Sequence, residues 1–187
     1  LGLIEIRQGE GTFVREVSIE SLVEPLALVI LNQREAVTEL FEARRLLEPA
    51  IASLAARRAT TEEIQEMARI LGEQSKEIAE GRTGIAQDAA FHAAIAGSVH
   101  NRAITRIIHA LMDLLTQSRE ESLQTPGRPQ RSYQDHVRML KAIQRRDEAA
   151  AHKAMLDHLI AVEALLGERQ GGEAQPVGSP GRKKLGR

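Results

Sequence analysis

Cysteine is absent from this chain, so neither a disulfide nor a thiolate metal site can hold it together. Tryptophan is absent as well, and one tyrosine and three phenylalanines are all the aromatic residues. A core so short of rings must be filled by Leu, Ile, Val, Ala and Met, which favours packed helices over a sheet sandwich. No apolar run approaches the ~20 residues that span a bilayer, and no signal-peptide pattern opens the chain. An excess of one charge is lacking too. Against 26 acidic residues stand 25 basic ones, for a net charge of −1, so no global field directs the chain to nucleic acid or membrane. These absences predict a cytoplasmic, mostly helical protein in which any metal is held by imidazole and carboxylate.

Among the 187 residues, 42% are apolar, enough for one sizeable core in a domain of roughly 150 residues with ragged ends. The first residue is Leu rather than Met, so the chain reads as a piece of a longer one. Two short β-forming runs, Leu3 to Arg7 and Thr12 to Val14, flank the Gly-rich stretch Gln8-Gly9-Glu10-Gly11 and predict a hairpin. Such a hairpin is marginal alone in water, so its original partners are expected upstream.

From there the periodicity is helical. A first helical segment is expected from Ser18 to about Asn32, and a second from Arg34 to Arg58 with the stripe Val37, Leu40, Phe41, Leu47, Ile51 and Leu54. Thr60 and Glu63 form a capping box for a third, reaching about Glu80 through Ile64, Met67, Leu71 and Ile78. A fourth carries Asp88 and His92 and ends at Gly97, a suitable left-handed stop. One long amphipathic helix is predicted over Asn101 to Leu123, then a break over Gln124 to Pro129. A helix from Ser132 to Arg146 and a last one capped by Asp147 follow. Beyond Leu166 the composition turns to Gly, Pro, Gln and Lys, which reads as a disordered tail over residues 167–187. The expected architecture is all-α, an antiparallel bundle of six to seven helices over residues 17–166, preceded by a hairpin remnant in residues 1–16.

Polar residues inside the apolar stripes carry the functional signal. Asp88 and His92 are one turn apart and share a face with Ile85 and Ile95, where an unpaired carboxylate would be costly. His136 and His158 occupy comparable stripes on two later helices, whereas His100 falls at a turn, His152 lies off its stripe and His109 is ambiguous. One divalent ion shared by Asp88, His92, His136 and His158 would satisfy all four. The competing reading is three core histidines, each with its own hydrogen-bond partner. Imidazole and carboxylate suit Zn²⁺ foremost, and Ni²⁺ or Mn²⁺ as well. Arg44 lies within the stripe of its helix and asks for an anion, either a carboxylate ligand or simply Glu48 one turn on. A hydrolytic centre is less supported. There is no HExxH and no nucleophile motif, and nothing singles out Glu42, Glu48 or Asp135 as a base.

These residues also carry a resemblance. Gly2 to Val14 resembles the wing that closes the winged helix-turn-helix domain of GntR-family transcription regulators. The helical part resembles the FCD-type effector-binding domain of the FadR subfamily, through Glu42-Ala-Arg-Arg-Leu-Leu-Glu48, Asp88-Ala-Ala-Phe-His92 followed by Asn101, Asp135-His136, and Asp147 onward to His158. The resemblance implies a non-enzymatic sensing and dimerisation domain of a bacterial transcription regulator, usually a repressor. It implies a divalent metal on Asp88, His92, His136 and His158, and a small organic acid as effector near Arg44 and Asn101. It also implies a homodimer, with operator DNA bound by the full-length protein only and Arg7 and Gly9 as the remaining DNA-contacting positions of the wing. No membrane partner is implied. The alternative is a small helical metal-dependent hydrolase or other metalloenzyme, for which the wing would be coincidence.

Overall fold

The computed structural model describes residues 4–7, 9, 11–14 and 34–172. The helix expected from Ser18 to Asn32 and the tail over 173–187 lie outside the described residues. Strands β1 (Ile4–Arg7) and β2 (Gly11–Val14) pair antiparallel in the register Ile4↔Val14 to Arg7↔Gly11, so the predicted hairpin forms. Its turn passes through Gly9 at φ 83°, a conformation that suits glycine because it carries no Cβ. Seven helices follow among the described residues: α1 (Arg34–Arg58), α2 (Thr61–Ala79), α3 (Ile85–Gly97), α4 (Arg102–Leu114), α5 (Thr116–Leu123), α6 (Arg128–Gln144) and α7 (Glu148–Gly172). The fold is all-α, and none of the helices described is long and apolar enough to cross a membrane.

α1 lies along α7, and α3 and α6 pack between this pair and α2. The core they share is aliphatic, as the composition requires. Phe91, Ile95, Met139, Ile143, Met155 and Leu159 are all buried in it, with small residues such as Ala52 and Ala55 letting α1 approach closely. On α1 the buried stripe runs Leu40, Phe41, Arg44, Glu48, Ile51, Ala52 and Ala55, while Leu47 is exposed. The expected place of Leu47 on that stripe is therefore corrected. The helix turns two charged residues inward instead, because Glu48 meets His92 of α3 and Arg44 pairs with Glu48 one turn on.

Helix ends show which local signals hold. The Thr60 hydroxyl accepts the Glu63 amide at 3.2 Å and the Glu63 carboxylate accepts the Thr60 amide at 2.8 Å, completing the capping box. The Asp147 carboxylate accepts the Ala150 amide at 2.9 Å at the head of α7. Four expectations are corrected. Gly97 is not the left-handed stop of α3; the positive φ of 57° falls at His100. The single helix over Asn101 to Leu123 is two, broken at Leu115. There the Thr116 hydroxyl donates back to the Met112 carbonyl at 3.2 Å, a side-chain bond that competes with the helical ladder and bends it. The break over Gln124 to Pro129 is shorter than expected, because α6 starts at Arg128 with Pro129 in its first turn, where the missing N–H costs nothing. α7 also continues past Leu166 to Gly172.

Candidate metal and ligand site

Three helices deliver three imidazoles to one point. His92 comes from α3, His136 from α6 and His158 from α7, and all three are at most 2% exposed. Their ring centroids form a nearly equilateral triangle with sides of 5.1, 5.4 and 5.0 Å. One ring nitrogen of each lies within 4.8 Å of the other two. Phe91, one residue before His92, lies 4.8 Å from the His136 ring and seals the apolar side.

The other nitrogen of each ring is tied back to the bundle. The His92 Nδ1–H donates to Glu48 Oε2 at 2.9 Å, that of His136 to Gln74 Oε1 at 3.1 Å, and that of His158 to Asp135 Oδ2 at 3.1 Å. Carboxylate and amide oxygens only accept, so these bonds put the proton on Nδ1 and leave Nε2 as the acceptor nitrogen, with Ser132 Oγ 3.5 Å from that of His136. His92 Nε2 is buried with no hydrogen-bond partner among the described residues. A donor-poor triangle of imidazole lone pairs, each ring oriented by a carboxylate or amide behind it, is the arrangement that metal-ligating histidines adopt. The residues therefore fit a metal ion.

Asp88 stands beside the triangle, with Oδ2 3.6 Å from His136 Nε2. It also accepts the Ser132 hydroxyl at 2.7 Å and lies 3.2 Å from Arg119 Nε. Burial alone would raise its carboxyl, but the charges around it, with the Arg119 guanidinium the one that persists when His136 is neutral, hold it well below the usual carboxylate range. Glu48 is held low in the same way, Arg44 and His92 outweighing its burial. Both are thus ionised at neutral pH. Asp135 is pushed up by burial, against the nearby guanidiniums of Arg138 and Arg128.

Arg44 pairs with Glu48, its Nε donating at 2.5 Å and its Nη2 at 3.4 Å, with the guanidinium 5.2 Å from the Phe41 ring. The internal pairing that its spacing allowed is therefore present, yet Arg44 also lines a narrow cleft of about 20 Å³ together with Asp88, His158, Arg119, Ser122 and Arg128. Asn101 is not brought there. It is exposed at the head of α4, where its side-chain oxygen accepts the amides of Ala103 and Ile104. Of the remaining histidines, His100, His109 and His152 are all exposed. Arg7 ends β1 opposite Gly11, and Gly9 lies in the turn between them.

Several site residues escaped the sequence reading. Gln74 was legible in principle, since it falls three and four residues after Leu71 and Ile70 on the buried face of α2. Gly84 presses on it: a Cβ there would meet Gln74 Cγ at 3.1 Å. Arg119 and Arg128 gave no such signal, because each sits beside a helix break that periodicity does not locate.

Burial pushes the His136 and His158 pKa values well below the ordinary 6.5. Between those folded values and 6.5 the unfolded chain binds more protons, so the metal-free fold loses stability as pH falls through that window. Above it, these two groups leave stability flat. Each should contribute a slope of about 1.4 kcal/mol per pH unit. Chemical denaturation of metal-free protein between pH 7.5 and 5 reads this directly; a flat profile would show that the two rings are not buried neutral.

Known proteins share this fold. The chain matches the FCD domain over residues 39–161. It is 33% identical to the HTH-type transcriptional regulator LutR of Bacillus subtilis, over 89% of this chain and 78% of that protein. It is 27% identical to the HTH-type transcriptional repressor NanR of Enterobacter sp. (strain 638), over 87% of this chain and 65% of that one. Among solved structures, Streptococcus agalactiae GntR superposes with a TM-score of 0.65 at 27% identity, over 87% of this chain and 74% of that chain.

Proposed function

Because the chain belongs to the FCD domain family of GntR-type transcription regulators, we propose that its helical part senses a small organic acid through a divalent metal bound by His92, His136, His158 and Asp88. The relatives it matches are regulators rather than enzymes, which sets aside the metalloenzyme alternative. The observation that carries the proposal is the trio of Nδ1 bonds to Glu48, Gln74 and Asp135, which points the three Nε2 atoms at one another. Asp88, ionised and 3.6 Å from His136, is the adjacent fourth donor.

When bound, a divalent ion supplies a positive, coordinatively open centre for a carboxylate. The chain's own residues do the rest. Glu48, Gln74 and Asp135 hold the rings in one tautomer, Phe91 keeps water from their apolar side, and Arg44 offers its guanidinium to the cleft. Zinc fits this donor set foremost, with nickel and manganese also accepted. In the full-length homodimer, binding is proposed to draw α1, α3, α6 and α7 together and so bias the segment that leads to the wing, with release of operator DNA as the outcome. The acid can shift that balance only by its differential affinity for the two arrangements.

Purified protein should carry one equivalent of divalent metal, and removing it by chelation should lower the melting temperature. Readdition followed by a panel of carboxylic acids should raise it again in a concentration-dependent way. A protein that gains no stability from zinc, nickel or manganese would leave three core histidines as the better account.

A further inference from the structure

Of the four proposed ligands, Asp88 stands apart. Among the described residues, the ligating atoms that all lie within 4.8 Å of one another belong to His92, His136 and His158. Asp88 is engaged elsewhere: one carboxylate oxygen is 3.2 Å from Arg119 Nε, and the other accepts the Ser132 hydroxyl at 2.7 Å. The side chains of Arg119 and Asp88 are 10% and 6% exposed, so solvent ions screen their attraction little. The other charges nearby offer an incoming cation no substitute. Arg44 is matched by Glu48, and Arg128 is left over, buried with its Nε and Nη1 lacking a hydrogen-bond partner among the described residues. Arg119 also fastens a helix. α5 is anchored by the buried leucines at its two ends, Leu115 and Leu123, and Arg119 is the charged tether between them. Its Nη2 points at the Met112 sulfur, a weak acceptor, so Asp88 supplies the counter-charge. Arg119, Ser122 and Leu123 of α5 form one wall of the cleft, whose 20 Å³ leaves room for about one water.

We propose that Arg119 is a positioning residue that competes with the metal for Asp88: as Asp88 turns to the histidine triangle, Arg119 is released and α5 loosens over the cleft. This rests on the metal reading above. Asp88 carries a single negative charge, and the guanidinium and a divalent ion both draw on it. A guanidinium close to the ion also repels it, the more so out of water. Arg119 therefore lowers metal affinity, and metal loading is coupled to the position of α5. The sign of the effect separates this from a supporting role. Loss of a residue that merely holds a ligand in place weakens metal about 10–100-fold, whereas loss of a competitor strengthens it.

Zinc titration against a competing chelator, on the parent, Arg119→Gln and Arg119→Lys, tests that sign. Arg119→Gln keeps a neutral donor beside Asp88 and removes only the charge, so zinc should bind at least about tenfold tighter. Arg119→Lys restores the charge and should return the affinity to within a few-fold of the parent. Hydrogen exchange is the second readout and needs no variant. In the parent, zinc should slow exchange in α3 and α6 and speed it in α5; in Arg119→Gln, α5 should exchange fast with or without zinc. Weaker or unchanged zinc binding in Arg119→Gln makes Arg119 a support and overturns the inference while the metal reading stands. Exchange in α5 that zinc slows or leaves unchanged in the parent overturns it as well. A parent that binds no zinc removes both.

Discussion

Replacing His136 with alanine is expected to abolish stoichiometric metal binding and the stabilisation that comes with it. His136 is central to the triangle: its centroid is 5.1 Å from His92 and 5.0 Å from His158, and its Nε2 faces Asp88. Altering even a residue that merely orients a ligand lowers metal affinity about 10–100-fold, and losing a ligand outright should exceed that. With metal at a thousand times its dissociation constant, the lost stabilisation is about 4 kcal/mol. His136 is also fully buried, so its removal weakens the metal-free fold as well. The readout is therefore the increment that metal adds to each protein's own melting temperature, together with metal content after gel filtration. If the variant keeps both, the ligand set is wrong.

Glu48→Ala is the second large effect, and it reaches further than one bond. The carboxylate takes both the Arg44 guanidinium and the His92 Nδ1–H, and all three groups are at most 4% exposed. Deleting it strands a buried cation, which should cost about 3–5 kcal/mol. It also frees the His92 ring to rotate, which should weaken metal about 10–100-fold. Glu48→Gln separates the two, since its amide oxygen can still accept from His92 while Arg44 loses its counter-charge. That variant should retain most of the metal affinity and little of the lost stability. Denaturant unfolding without metal, then zinc titration, gives both numbers. A Glu48→Ala protein as stable as the parent would mean that Arg44 turns to solvent.

Local chemistry explains which parts were readable in advance. α1 spans the residues its apolar period predicts, and the Thr60 box starts α2 because both of its bonds close within one turn. Asp88, His92, His136 and His158 stood out because each is ionisable on a face otherwise apolar, and the fold buries all four. The misplacements share a cause. Leu47, Asn101 and the Leu115 break depend on what lies opposite, or on a side chain competing for one carbonyl, and neither is encoded in spacing along a single helix. Asn101 is the clearest case. The resemblance places it near a ligand, but as the residue before a helix its oxygen satisfies two backbone amides at the helix start.

By itself the sequence determined an all-α chain with an aliphatic core and the identity of the inward-facing polar residues, because these follow from composition and a 3.6-residue period. Only the tertiary structure decided which of those residues meet, and how. The choice of Nδ1 partners, and so of the nitrogen left to face the centre, rests on Gln74 from α2 and Asp135 from α6 as well as Glu48 from α1. The charge left over at Arg128 likewise appears only when α5 and α6 are folded against α3 and the other two arginines are found already matched. Pairing across helices is a property of distance in space, and spacing along the chain does not contain it.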